Sequence, residues 1–401
     1  MLNGKRILLG VCGGIAVYKA VDWVRELRRS GAEVTVVMTE SATRFVTPLT
    51  FAALSGHPVH SDLFAAAGSE RIPHINLARE HDLVLIGPAT ARTIARLALG
   101  LADDLLSAVV LAARLPIIVC PAMNSNMYLH PATQANLRLL ASYGYHLVEP
   151  ECGHLACREE GPGRLPEWPV VREALFTALA VQDLAGRQVL VTAGPTFEPL
   201  DPIRFLGNRS SGRMGFALAA TARRRGAQVT LISGPSALPD PPGVATVRVT
   251  TASEMAAEVL ARAGQCAAVI KAAAVSDFRP TLPAPTKIKK SKAGLTLELT
   301  ANPDILKTLG EKKGDCASLP LLVGFAAETG DRLDEGWRKL QEKNLDLLAF
   351  NDVSADDAGF GAETNRIVIL DRDGGEERLP LLDKERAADM IWNRVVKLLD
   401  R

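Results

Sequence analysis

The chain has 401 residues, more than one ordinary hydrophobic core accommodates, so two domains are expected. Hydrophobic residues make up 47% and charged residues 23%, which suits a globular protein with well-filled cores. A formal net charge of +1, with no recognisable nucleic-acid motif, argues against a DNA or RNA partner, and no apolar stretch reaches the roughly 20 residues of a membrane span.

Lys5 and Arg6 precede an apolar run, Ile7 to Val17, that imitates a secretory leader. Gly13-Gly14 interrupts it, and Tyr18–Arg29 sets Val21, Val24 and Leu27 against Lys19, Asp22, Arg25 and Glu26. A strand, Arg6–Cys12, turning into an amphipathic helix is the better reading. Further apolar strands are expected at Glu33–Met38, Leu83–Gly87 and Ile117–Cys120, with helices at Ile94–Gly100 and Pro131–Tyr143. Short apolar strands alternating with helices imply a parallel sheet covered on both faces.

Gly161-Pro162-Gly163 and Pro166 to Pro169 break this pattern, and a helix follows at Val170–Ala180. We therefore expect domains at 1–182 and 183–401. The second restarts with strands at Gln188–Thr192, Gln228–Ser233, Ala267–Ala272, Leu321–Phe325 and Leu347–Phe350, and a helix at Gly212–Arg225. Gly31 and Gly226 each end a helix just before a strand. Pro235–Pro242 and Pro280–Pro285 read as loops. Arg366–Asp371 and Glu377–Leu382 read as a hairpin about Asp373–Gly375, and a last helix covers Lys384–Leu399. The fold class is α/β, two Rossmann-like domains.

The six cysteines, Cys12, Cys120, Cys152, Cys157, Cys266 and Cys316, include no C-x-x-C pair and read as reduced thiols of a cytoplasmic protein. Gly10-Val11-Cys12-Gly13-Gly14 lies at a strand-to-helix turn. It is not G-x-G-x-x-G, and a tight turn or a nucleotide or flavin phosphate site explains it equally. Pro121 to Tyr128 reads as a loop beyond a strand's carboxyl end, where the Asn124 amide can bind a carboxylate or developing charge. His74 opens a helix-like segment, and chemistry alone does not choose it over His57, His60 or His81. Cys152-Gly153-His154 with Cys157 lacks the four ligands of a zinc site. A mobile flap over 156–164, hinged on Gly153, Gly161 and Gly163, is the better reading.

In the second half, Gly194-Pro195-Thr196, continuing through Glu198-Pro199, Asp201-Pro202 and Arg204, and Asn208 to Gly215 form two glycine-containing loops, the second at a helix start. They suit a phosphate, with a simple N-cap by Ser210 or Ser211 as the alternative. Asp277 ends a strand and can orient a nucleotide or Mg2+. Lys287, Lys289 and Lys290 form either a solvated face or a triphosphate contact. Gly324 to Thr329 and Asn351 to Val353 also end strands.

His74, Pro121-Ala122-Met123-Asn124 with Met127, and Ala156-Cys157 followed by Gly161-Pro162-Gly163-Arg164 together resemble the phosphopantothenoylcysteine decarboxylases. That family comprises homo-oligomeric flavin-containing cysteine decarboxylases of flavodoxin-like fold. The resemblance makes His74 the base, Asn124 the holder of the substrate carboxylate and Cys157 the proton donor. It assigns FMN contacts to Gly13, Gly14, Ile15, Thr39, Ser41, Pro88, Ala89, Thr90, Ala91 and Ala122. It also implies oxidation of the substrate cysteine to a thioaldehyde before CO2 leaves.

Residues 183–401 resemble the CTP-using phosphopantothenate–cysteine ligases, in the order of the bacterial bifunctional fusion. This resemblance makes Asn208 and Lys287 catalytic. It assigns CTP contacts to Asp277, Lys287, Pro303, Asp304, Ile305, Leu306, Phe325, Lys339 and Lys343, with Asp277 the candidate Mg2+ ligand. The implied substrates are 4′-phosphopantothenate, cysteine and CTP, joined through an acyl-cytidylate. The implied assembly is a homo-oligomer of trimeric decarboxylase and dimeric ligase units, a dodecamer in the fullest form. Cys12, Arg158, Gly207 and Arg213 depart from the usual Ser or Thr, Gly, Ser and Lys. The rival readings are a nucleotide-cofactor dehydrogenase, which needs a G-x-G-x-x-G turn, and a flavin-binding regulatory subunit without catalysis.

Overall fold

A computed structural model describes residues 2–64, 72–290, 295–315, 320–328, 333–352 and 364–401; Cys316, Thr329 and Val353 lie outside them. The chain divides into two compact units, residues 1–180 and 181–401.

The first unit carries strands β1 (Arg6–Val11), β2 (Glu33–Met38), β3 (Val59–His60), β4 (Leu83–Ala89), β5 (Ile117–Pro121) and β6 (His146–Leu147). They form one sheet in the order β3-β2-β1-β4-β5-β6, parallel throughout. This is the doubly wound 3-2-1-4-5-6 order. The apolar runs explain it: β4 and β5 are buried at every residue, and a strand apolar on both sides needs cover on both. Ile7, Leu9 and Val11 pack with Trp23, Val24 and Leu27 of helix Val17–Arg29. Leu8 and Cys12 face the other way, toward Ile94 and Val109. Connections leave β1 over one face and β4 over the other, so a crevice opens beyond the carboxyl ends of these two neighbours.

Two readings of this unit need correction. The Asn124 loop contains a short helix, Ser125–Leu129. The expected flap is a hairpin, β7 (Glu151–His154) paired antiparallel with β8 (Glu160–Arg164). Its glycines serve close packing: a Cβ on Gly163 would lie 2.1 Å from the Met123 carbonyl oxygen, and one on Gly161 2.5 Å from Ser125 Oγ.

The second unit contains β9 (Gln188–Ala193), β10 (Phe197–Pro199), β11 (Phe205–Gly207), β12 (Gln228–Ser233), β13 (Ala245–Arg248), β14 (Ala268–Lys271), β15 (Phe278–Pro280), β16 (Leu299–Ala301), β17 (Leu321–Glu328), β18 (Leu347–Asp352), β19 (Thr364–Asn365), β20 (Ile367–Asp371), β21 (Glu376–Arg378) and β22 (Leu382–Asp383). The main sheet runs β13-β12-β9-β14-β17-β18-β20-β21, parallel up to β18 and closed by the antiparallel hairpin β20–β21. The Asp371 carboxylate accepts the Asp373 and Gly375 N–H groups and so fixes that hairpin's turn. Helix Arg213–Arg224 and the last helix, Lys384–Leu399, cover one face, and Trp392 is fully buried between them, donating to the Leu218 carbonyl at 2.9 Å. Helices Ala252–Arg262, Ile305–Asp315 and Leu333–Glu342 cover the other. The crevice here lies beyond β9 and β14. Phe197–Pro199, expected within a loop, pairs instead with Phe205–Gly207 in a short ribbon, β10–β11, and a second ribbon joins β15 and β16. No helix among the described residues is long and apolar enough to cross a membrane.

The ends of β9 and β12 touch. A Cβ on Gly234 would sit 1.8 Å from the Pro195 carbonyl oxygen. Gly234→Ala must push these turns apart, at a cost of about 1–3 kcal/mol. We expect a lower denaturant midpoint for the second unit with the transition of the first unmoved, read by unfolding followed with unit-specific probes.

Candidate active sites

In the first unit a cavity of about 710 Å3 opens at the carboxyl ends of β1, β4 and β5. Gly13, Gly14, Ile15, Thr90, Ala91 and Ala122 line it. Thr39, Ser41, Pro88 and Ala89 do not line it. Ser41 backs Gly13 so closely that a Cβ there would meet it at 2.4 Å. The Pro88 carbonyl accepts from Cys12 N–H, and the Ala89 carbonyl from Ala122 N–H. Helix Val17–Arg29 starts without a side-chain cap, and Thr39 Oγ1 is buried without a partner. Uncapped N–H groups, a glycine turn and an orphaned hydroxyl together fit a phosphate. The Cys12 thiol is buried, does not line the cavity, and burial pushes it up to about 11. Its departure from Ser or Thr therefore leaves the lining unchanged.

Asn124 has its two ends fixed by different partners. Its Oδ1 accepts the Asn126 N–H at 2.8 Å and so caps the short helix. That bond turns Nδ2 outward, to 3.4 Å from Cys157 Sγ and 2.5 Å from Glu159 Oε2. Cys157 lines the same cavity from the turn joining β7 and β8. Asn124 and Cys157 are thus brought together. His74 is not with them. It lies in helix Pro73–Arg79, whose Leu77 and Ala78 pack on the face opposite helix Val17–Arg29, and it does not line the cavity. Its Nδ1 is buried without a partner. Sequence reasoning missed Glu159, although its place two residues after the flap thiol was a usable signal.

In the second unit, Gly194 at φ +77° and Gly212 at φ +81° meet at the crevice; a Cβ on Gly212 would lie 3.3 Å from the Gly194 nitrogen. The serine N-cap is corrected here. Gly212 itself precedes helix Arg213–Arg224, with no side-chain cap, and Ser210 Oγ accepts the Gly212 N–H instead. The first turn is left to bind an anion. Asn208 Nδ2 donates to the Val275 carbonyl at 2.9 Å, tying the loop after β11 to the loop after β14. Gly207 also has a local reason, since a Cβ there would lie 2.7 Å from the Thr196 carbonyl oxygen.

Lys287 is exposed, and its segment is anchored by an acid of the loop that begins at Gly194. Asp201 is buried, and its carboxylate accepts the N–H groups of Ile203, Arg204 and Ile288. Burial alone would raise its pKa; these donors and the Arg204 guanidinium outweigh that and hold it below the usual carboxylate range. Asp277 is exposed beyond β14, and its carbonyl accepts the Asn302 N–H. Asp304 pairs with Lys343 at 2.8 Å beside exposed Pro303, and Lys339 lies 3.8 Å from Glu335. Ile305 and Leu306 are core side chains, so only their backbone is available to a ligand. Phe325 is half-buried on the opposite face of the sheet. The described residues hold no cluster of three or more His, Cys, Asp or Glu suited to a metal.

Residues 1–179 match the Flavoprotein family, and residues 184–399 match the DNA/pantothenate metabolism flavoprotein C-terminal domain. The coenzyme A biosynthesis bifunctional protein CoaBC of Bacillus subtilis is 47% identical, covering 99% of this chain and 98% of its own. CoaBC of Escherichia coli is 46% identical, covering 100% of this chain and 98% of its own. The chain belongs to the CoaBC family. Among solved structures, the C-terminal domain of a CoaBC protein is 39% identical with a TM-score of 0.47, covering 55% of this chain and 98% of that one. As a CoaBC protein the chain is a bifunctional enzyme of coenzyme A biosynthesis, a flavoprotein decarboxylase joined to a phosphopantothenate–cysteine ligase.

One further residue of this CoaBC chain was not foreseen. Lys271 ends β14, half-buried and without an ion pair among the described residues. Burial pushes its ammonium down to about 8, and Lys343 pushes the same way against Asp304 and Asp277. A short run, Ile270-Lys271-Ala272, gave no sign that the lysine enters the crevice rather than solvent. Because the folded value lies below the ordinary 10.5, the charged form burdens the fold at pH below about 8. Stability from this group therefore rises as pH climbs from about 8 to 10.5. Lys271→Met should be more stable than wild type at pH 7, with the difference vanishing near pH 10.5, as measured by denaturant midpoints across pH.

Proposed function

We propose that the first-unit cavity decarboxylates 4′-phosphopantothenoylcysteine with FMN, and that the second-unit crevice makes that compound from 4′-phosphopantothenate, cysteine and CTP. The observation that carries the first half is the Asn124 amide, fixed by its own helix cap and pointing with the Cys157 thiol into a cavity beside a glycine turn. Gly13, Gly14, Ile15, Thr90, Ala91 and Ala122 would hold the FMN, with Thr39 and Ser41 at its phosphate. Bound FMN supplies the two-electron oxidation and later reduction that let the cysteine carboxyl leave as CO2. Asn124 Nδ2 orients that carboxylate. After CO2 departs, the Cys157 thiol delivers a proton to the substrate. A reducing cytoplasm keeps that thiol free.

His74 does not line the cavity of its own chain. Exposed apolar side chains, Ile15, Tyr18 and Met127, rim the cavity, and Leu49 and Leu129 are exposed as well. Such a patch suits burial against another copy. We infer that His74 of a second copy completes the site in a homo-oligomer. Neither His74→Asn nor Cys157→Ser should give normal product alone. Co-expressed in one cell, they should recover about a quarter of wild-type turnover, as random mixing around a ring requires. Hybrids as inactive as their parents would rule out sharing.

For ligation, the phosphopantothenate carboxylate attacks the α-phosphate of CTP, releasing pyrophosphate, and the cysteine amine then displaces CMP. The helix start at Arg213 and Lys287 would hold phosphate charge, and Lys339 and Lys343 would add to it. Asp277 offers one exposed carboxylate, which fits a Mg2+ ion held mostly by phosphate oxygens. Asn208 would contact the reacting groups at the joint between loops. Lys287→Gln should slow CTP-dependent pyrophosphate release by about a hundredfold, a loss of about 3 kcal/mol. Lys290→Gln, exposed and unanchored, should barely change it. Equal small losses from both would make the run a solvated face.

A further inference from the structure

Glu159 has no role in the reading above, and its position is specific. Its Oε2 accepts the Asn124 Nδ2 at 2.5 Å and lies 3.5 Å from Cys157 Sγ. The same nitrogen reaches Cys157 Sγ at 3.4 Å. An amide nitrogen carries two hydrogens, and both are spent on these neighbours. Its oxygen is spent on the Asn126 N–H. The donor assigned to the substrate carboxylate is therefore already serving a carboxylate of the chain itself. Glu159 makes no ion pair among the described residues, although Arg158 and Arg164 lie close in sequence.

We propose that Glu159 is an internal stand-in for the substrate carboxylate, and that the substrate must displace it from Asn124. This rests on the reading of Asn124 as the carboxylate holder. Two carboxylates on one amide nitrogen repel, so binding is an exchange. The displaced group has somewhere to go. It sits on the turn between β7 and β8, held by the Leu155 N–H to Glu159 carbonyl and Arg158 N–H to Leu155 carbonyl bonds. Arg158 in that turn has φ +66°, the left-handed region that side chains disfavour, so a change of turn conformation relieves strain. Cys157 rides on the same turn. While Glu159 holds the seat, the thiol faces a carboxylate; when the substrate takes the seat, the thiol is released toward the carbon that needs its proton. Arrival of the carboxylate thus sets the proton donor.

The test uses the full-length, flavin-loaded enzyme and two ligands, 4′-phosphopantothenoylcysteine as substrate and 4′-phosphopantetheine, the same molecule without the carboxyl, as inhibitor. The quantity read is the ratio of substrate KM to inhibitor Ki. Glu159→Ala should lower it roughly three- to tenfold, because the internal competitor is gone. Glu159→Gln keeps an acceptor for Asn124 without the charge, so it should lower the ratio less; being nearly isosteric, it also serves if the alanine variant loses its flavin. Asn124→Ala should raise the ratio, and adding Glu159→Ala to it should change nothing more. An unchanged ratio in Glu159→Ala, or a raised KM with a lowered kcat, while Asn124→Ala raises the ratio, overturns the stand-in and leaves the Asn124 reading intact. An unchanged ratio in Asn124→Ala overturns both.

Discussion

Strands that are apolar on both faces can offer chemistry only at their ends. β4 and β5 are buried from first residue to last, and β9 from its second. Helices seal both faces of each sheet, so polar groups on the strands themselves would be stranded in the core. Substrates must therefore be met where strands stop and helices begin, with backbone N–H groups in excess. Both crevices follow from this constraint. In each, a first strand sends its chain over one face and its neighbour over the other, and glycine turns bring the strand ends within contact distance.

Each crevice also holds an asparagine with one end fixed by the backbone. Asn124 gives its oxygen to the Asn126 N–H and turns its nitrogen toward Cys157 and Glu159. Asn208 gives its nitrogen to the Val275 carbonyl and keeps an acceptor. A carbonyl accepts only and an N–H donates only, so neither amide is free to flip. On the proposed reading, the Asn124 donor suits the carboxylate that is to be lost from phosphopantothenoylcysteine.

Much of this was legible in the sequence, for identifiable reasons. β2, β12 and the last helix follow runs long enough to show their period, and Glu33–Met38, Gln228–Ser233 and Lys384–Leu399 have the expected bounds. β10, β11, β15 and β16 span three residues each, too short for any alternation to register. The β7–β8 hairpin was hidden by its glycines, which read as hinges yet let the backbone lie against Met123 and Ser125. Asn124 and Cys157 were legible as residues. That they meet, and that His74 does not join them in one chain, depends on which face each helix covers, a matter of packing rather than of local pattern. Lys271 went unmarked, and Asp201 was marked only as one acid of a loop, because a charge in sequence does not reveal whether its neighbours in space are solvent, donors or another charge.

The departures from the family pattern sort along the same line. Where backbone does the binding, the side chain is free to vary. Cys12 turns into the core behind the phosphate turn, and Gly207 lies against the Thr196 carbonyl, where a larger residue must shift the ribbon. Arg158 is different, because there the backbone itself is the issue. A left-handed position filled by a residue other than glycine costs of order 1–3 kcal/mol, and the turn between β7 and β8 carries that cost in the conformation that joins Glu159 to Asn124. Strain at this turn weakens the hold of Glu159 on the amide. A chain with arginine here therefore releases the seat more readily than one with glycine would, so the departure tunes the exchange at Asn124 without touching any group that meets the substrate.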